Sequence, residues 1–332
     1  EVASGAAAHA AHGRHLALLL LKVAEGGGGG YEIRDERALR RNARSYDIEE
    51  AGRSKEEVAR DLALRMIDEF ARQSGPLATL ALAPLKRQGV WSNRGVEPSG
   101  IDRTVVECLH RSTMGVDHDY RSVLTHALRT ALADGWGGSR IASVVGDILF
   151  GTPQPVSGQV NLGVLGENTV NIVVHGHEPV VSEMLAVASQ DPEILESARH
   201  AGAEGVTLAG ICCTANEVLM RHGIPIAGNF LQQELAIITG AVEVMVTDVQ
   251  CCMPSLPDVA SAYHTEIIAT SEIARTVGST HHRFDKDNAL ESAKDLIRRA
   301  IENYQRRDRA KMVIPDHRTP LVGGFSVEAI RY

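Results

Sequence analysis

Cys212 and Cys213 stand side by side at the end of the apolar run GVTLAGI, and Cys251 and Cys252 repeat the device after AVEVMVTDVQ. Four of the five cysteines thus form two doublets where apolar runs end, and His175 and His177 end a third run, TVNIVVHG. Thiolates with imidazole select soft metals: zinc, copper(I) or an iron–sulfur centre. The C-x2-C spacing of a compact zinc knuckle is absent, and donors some 35–40 residues apart fit a large cluster held between domains better. Any one of these cysteines alone has a plainer reading, as a small buried hydrophobe.

A second group of titratable residues lies near the start. His9, His12 and His15 recur every three residues in an alanine-rich stretch. On a helix each such step turns the side chain by about −60° and rises ~4.5 Å, so the three trace a slanting stripe of imidazoles that could pass protons. The alternative is a solvated helix face. Asp134, in LADGWGGSR, reads by itself as a turn residue closing a helix.

The elements that must position these residues fall into two styles. Residues 1–24, 54–73, 101–112 and 119–134 carry apolar residues at three- and four-residue spacing, and Ser54 with Glu57 makes a capping box. The pattern predicts a helical bundle over 1–150. The glycine run at 26–30 follows a helix rather than a strand and lacks a Lys-Ser/Thr ending, so it reads as a flexible turn, as does 134–140. From 151 onward, β-branched runs at 169–176, 205–211, 241–249 and 266–270 alternate with helical stretches at 182–202, 214–223, 230–239 and 287–306. That alternation predicts βαβ units and a parallel sheet over 151–316, whose ligands gather beyond the carboxyl ends of the strands. All three His and Cys groups fall there. Residues 317–332 end on a new helix pattern and read as the start of a truncated next domain.

Composition narrows the function. A chain of 332 residues is long enough to bury a core without disulfides, and five cysteines with no signal-peptide pattern indicate thiols of a reducing, cytoplasmic compartment. With a net charge of −8 and 34 Lys and Arg spread along the chain, no nucleic-acid surface is expected. The apolar run 16–21 is too short for a membrane span.

The phrases NIVVHGHEPVVSEM, LAGICCTANEVLMRHGIP, NFLQQELAIITGAVEVMVTDVQC and LADGWGGSR resemble the catalytic subunit of anaerobic nickel–iron carbon monoxide dehydrogenase, over essentially the whole chain. The resemblance implies a helical domain followed by Rossmann-like domains. It also implies a nickel–four-iron–sulfur cluster that oxidises CO with water to CO2, further 4Fe-4S clusters, a ferredoxin-like electron acceptor and a homodimer. It carries the cluster-ligand roles onto Cys213 and Cys251, leaving Cys212 and Cys252 as packing neighbours, and onto His177 rather than His175. It further implies that His9 and Asp134 are the active-site acid–base residues and that His12 and His15 form a proton relay, with Leu18 where the relay could continue.

The chain begins at Glu1 inside a helical pattern and stops at Tyr332 just after another begins, so it is expected to be an internal piece of a longer protein. The resemblance places the electron-transfer cysteines before Glu1, and three more cluster cysteines and a catalytic lysine after Tyr332. The piece alone is therefore expected to be inactive. Two other readings stay open: a non-catalytic iron–sulfur or metal-binding remnant, and a thiol-containing α/β small-molecule binder.

Overall fold

The apolar spacing of the first 150 residues becomes a set of packed helices in the computed structural model, which describes residues 2–27, 31–271 and 274–331. The helices are α1 (Val2–Ala24), α2 (Glu36–Arg44), α3 (Lys55–Ala71), α4 (Leu85–Asn93), α5 (Ile101–Thr113), α6 (Tyr120–Ala133) and α7 (Ser139–Phe150). They belong to the first of two compact units, Glu1–Thr152 and Pro153–Tyr332. α1 packs on α3 and α7, and Leu16, Leu20, Leu62, Met66, Phe70, Ile141 and Ile148 are essentially removed from solvent. The Ser54–Glu57 capping box forms as expected at the start of α3. α1 ends before Gly26, which takes a left-handed φ of 81°, while residues 28–30 of the glycine run lie outside the described residues.

The expected turn at 134–140 does not occur. Asp134–Gly138 is a π-helical turn that carries α6 directly into α7. Its glycines explain why: a Cβ on Gly137 would lie 2.8 Å from Ile101 Cγ1, and one on Gly138 would lie 2.9 Å from Ala10 N. Without side chains the widened turn can press against α1 and α5. Such turns are frequent at functional sites.

The second unit is an eight-stranded sheet built from β1 (Val156–Val160), β2 (Val170–His175), β3 (Val206–Ile211), β4 (Ile226–Gly228), β5 (Val242–Thr247), β6 (Glu266–Ala269), β7 (Thr280–His281) and β8 (Thr319–Gly323). Its order is β7-β6-β5-β2-β3-β4-β1-β8, parallel throughout except where β8 pairs antiparallel with β1. Residues 319–323, expected to open a further domain, thus form an edge of this sheet. Helices α8 (Pro179–Ala188), α9 (Pro192–His200), α10 (Cys212–His222), α11 (Gln233–Ile238), α12 (Leu256–Ala260), α13 (Ala289–Tyr304) and α14 (Val327–Arg331) complete the unit. Every residue of β2 and β5 is buried, as expected of central parallel strands covered on both faces.

The single helix expected over 182–202 is two helices, α8 and α9. Pro192 lacks a backbone donor and fits only a first turn, and the Asp191 side chain caps that turn by accepting from Glu193 N. No helix among the described residues is long and apolar enough to cross a membrane.

Candidate functional site

Chain order runs from β2 outward to β3 and β4 on one side and to β5, β6 and β7 on the other. β2 and β5 therefore flank the topological switch point, where open parallel sheets bind ligands beyond the strands' carboxyl ends. Both cysteine doublets and the HGH phrase sit at that edge, because β2 pairs with β3 on one side and β5 on the other. The doublets divide their labour: Cys212 and Cys252 pack against the core under the sheet, whereas Cys213 and Cys251 are exposed. Left-handed backbone at Cys212, Gln250 and Cys251 (φ 64°, 62° and 58°) produces the division by turning successive side chains apart. Each such non-glycine residue costs about 1–3 kcal/mol unless its surroundings hold it.

Asp248 does part of the holding. Its buried carboxylate accepts from His177 N at 2.6 Å, Glu178 N at 3.0 Å and Val249 N, tying the loop after β5 to the loop after β2. Gly176, at φ 139°, is obligatory here because any Cβ would occupy the position of the Asp248 carboxylate. Gly210 has a like role, letting the first turn of α10 fold back against β3 at Ala215. Burial dominates the titration of Asp248, pushing it up to about 7 against the lowering effect of those backbone donors.

The two histidines differ in what they can offer. His177 Nδ1 lies 3.1 Å from the Val249 carbonyl, which can only accept. The neutral ring therefore carries its lone pair on Nε2, the arrangement common in metal-ligating imidazoles. His175 is fully buried, and its Nε2 lies 2.9 Å from Gln233 Oε1 and 3.1 Å from Cys251 O. Burial lowers its pKa, so it stays neutral with the proton on Nε2.

The thiols are electrostatically frustrated. Cys212 is pushed up to about 12 by burial and by the Cys251 and Cys213 thiolates, and Cys213 is raised by burial, Cys251, Glu217 and Asp248. Cys252 is raised further, by burial first and then Asp248. Cys213 and Cys251 are thus near enough to repel one another as thiolates. The charges of these neighbours favour the protonated form, and a bound cation would reverse that preference. Soft donors, an oriented imidazole and this repulsion together fit a metal cluster. Among the described residues, however, no three His, Cys, Asp or Glu side chains converge closely enough to hold a metal ion by themselves. The expected trio of His177, Cys213 and Cys251 is brought to one edge without closing into a three-ligand site.

In the helical unit His9 and Asp134 do meet: His9 Nδ1 is 2.9 Å from Asp134 Oδ1 although 125 residues separate them. Gly13 and Gly138 make the meeting possible, since a Cβ on Gly13 would lie 2.5 Å from Gly138 O. The bond to Asp134 raises the His9 pKa, outweighing partial burial. His12 is only 6% exposed, so the imidazole stripe is not a solvated helix face, while His15 is half-buried and Leu18 largely exposed.

Sequence reading missed Gln233 and Asp248, neither of which breaks a periodic pattern. The only available signal was position: Asp248 comes right after an apolar strand and three residues before a doublet.

A helical unit and a mostly parallel sheet with soft donors at its switch point define a mixed α/β protein. The chain belongs to the Prismane/CO dehydrogenase family, matching it over residues 1–331. It is 51% identical to carbon monoxide dehydrogenase 1 of Methanosarcina acetivorans over 329 residues, which is 99% of this chain and 52% of that protein. Among solved structures it is similar to a nickel-free carbon monoxide dehydrogenase of Thermococcus sp. AM4, with a TM-score of 0.96 and 49% identity over 99% of this chain and 52% of that one. Carbon monoxide dehydrogenase IV of Carboxydothermus hydrogenoformans matches at a TM-score of 0.94 and 44% identity, over 99% of this chain and 52% of that one. The chain spans about half the length of the curated relatives it matches.

Proposed function

We propose that this chain is part of a carbon monoxide dehydrogenase that converts CO and water reversibly to CO2, two protons and two electrons, the electrons leaving to an iron–sulfur acceptor such as ferredoxin. The observation that carries the reading is the division of the doublets, which exposes Cys213 and Cys251 at the switch point of a family fold. Cys213, Cys251 and His177 are the residues of this chain that would hold a nickel–four-iron–sulfur cluster. When bound, that cluster would supply Lewis acidity toward CO and water and would store the electron pair.

The chain's own residues handle protons. His9 donates Nδ1–H to Asp134, which fixes the ring and leaves the lone pair of the neutral form on Nε2, the atom assigned to take a proton from water. The raised pKa makes this imidazole a stronger base than a solvated one. His12 and His15 are assigned to pass the proton along α1. A homodimer in a reducing cytoplasm belongs to the same reading.

The test is metal analysis of anaerobically purified protein together with CO-dependent viologen reduction. Nickel, iron and CO-dependent reduction are expected together. Protein that is folded, loaded with both metals and inactive toward CO would support a non-catalytic cluster-binding role instead.

A further inference from the structure

We propose that Gln233, acting with His175, is a positioning residue that clasps the Cys251 loop and fixes the direction in which the Cys251 sulfur leaves the sheet edge. The inference rests on the reading of Cys251 as a cluster ligand and concerns how that ligand is aimed.

Gln233 is fully buried at the start of α11, and all its polar atoms are used. Its amide nitrogen donates to Cys251 O at 3.0 Å and to Phe230 O at 2.7 Å. Its Oε1 accepts from Met253 N at 2.8 Å and faces the His175 Nε2 donor at 2.9 Å. One side chain therefore grips the carbonyl of Cys251 and the N–H of Met253, as a neighbouring strand would, and the His175 ring supports both Gln233 Oε1 and Cys251 O. Asp248 holds the other end of the loop. Between these clamps lie Gln250 and Cys251, consecutive non-glycine residues in left-handed backbone. Such a pair persists only where surrounding contacts over-determine it. Releasing the Gln233 clasp lets Cys251 relax toward ordinary backbone, which would re-aim its sulfur.

The closing experiment compares Gln233→Met, similar in size but unable to make these bonds, with Gln233→Glu, which keeps an acceptor for Met253 N and His175. In metal-depleted protein, amide exchange of the 250–253 segment is expected to quicken about tenfold in Gln233→Met, as loss of buried hydrogen bonds implies. Gln233→Glu should stay near wild type at Met253, and exchange in α13 should be unchanged in both. In protein loaded anaerobically with nickel, iron and sulfide, the cluster's electron paramagnetic resonance g-values should shift in Gln233→Met and recover in part in Gln233→Glu. Wild-type exchange and g-values in Gln233→Met would overturn the proposal, and so would faster exchange spread equally over α13. Cys251→Ser keeping full nickel and iron would instead overturn the ligand reading, leaving the exchange result to judge the clasp alone.

Discussion

The two groups of chemistry-bearing residues are built in opposite ways. In the helical unit, His9 and Asp134 are complete as they stand: the bond is formed at 2.9 Å, the carboxylate raises the His9 pKa, and close helix contact through Gly13 and Gly138 holds them. At the sheet edge, Cys213 is kept near Cys251 although burial and that neighbour's charge hinder the ionisation of Cys213. On the proposed reading, the fold supplies an acid–base pair ready to use and a set of donors that improves only when a cation arrives. An acid–base pair can be stabilised by its own members; a cluster of like charges must be held by something else, here Asp248, Gln233 and the left-handed turns.

The largest expected effect strikes the sheet edge. Cys213→Ser or Cys251→Ser should remove most nickel and iron and abolish CO-dependent viologen reduction, whereas Cys108→Ala, at a buried position of α5, should leave metal content near wild type. Equal metal loss from all three would mean general misfolding and erase the contrast.

Next comes the helical pair. His9→Ala and Asp134→Asn should retain both metals yet lower CO oxidation by about 10²–10⁴, the usual contribution of a positioned acid–base group. Metal loss in either would show that the pair and the donors are not separable. Asp134→Asn also removes the carboxylate charge that helps raise the His9 pKa, so the acidic limb of the pH–rate profile should move to lower pH.

A smaller effect probes the contact that makes the pair. Gly138→Ala places a methyl group against Ala10 and should cost about 1–3 kcal/mol by overpacking, measured by chemical denaturation. Wild-type stability would show that α1 yields easily.

Smallest is the pH dependence of stability. The folded His9 pKa is raised above 6.5, so the pair's contribution is full below about that pH and disappears as pH rises through the folded value. Wild-type protein should lose a small increment of stability over that window, and His9→Ala should not.

Much of this was legible in the chain itself. Periodicity located α1, α3, α5 and α6 and strands β2, β3, β5 and β6, because buried helix faces and doubly covered strands leave regular apolar patterns. The short strands β1, β4, β7 and β8 escaped, since runs of two to five residues carry little pattern. Residue type and spacing singled out the doublets, the imidazole stripe and the phrases that mark the family. They could not say which member of each doublet faces outward, for that depends on left-handed turns at Cys212, Gln250 and Cys251. Nor could they turn 134–140 into a π-helical turn, or join His9 to Asp134 across 125 positions. A sequence records which side chains can do chemistry. Which of them meet was decided by where a missing Cβ lets two backbones touch, and by which buried amide or carboxylate holds a strained loop in place.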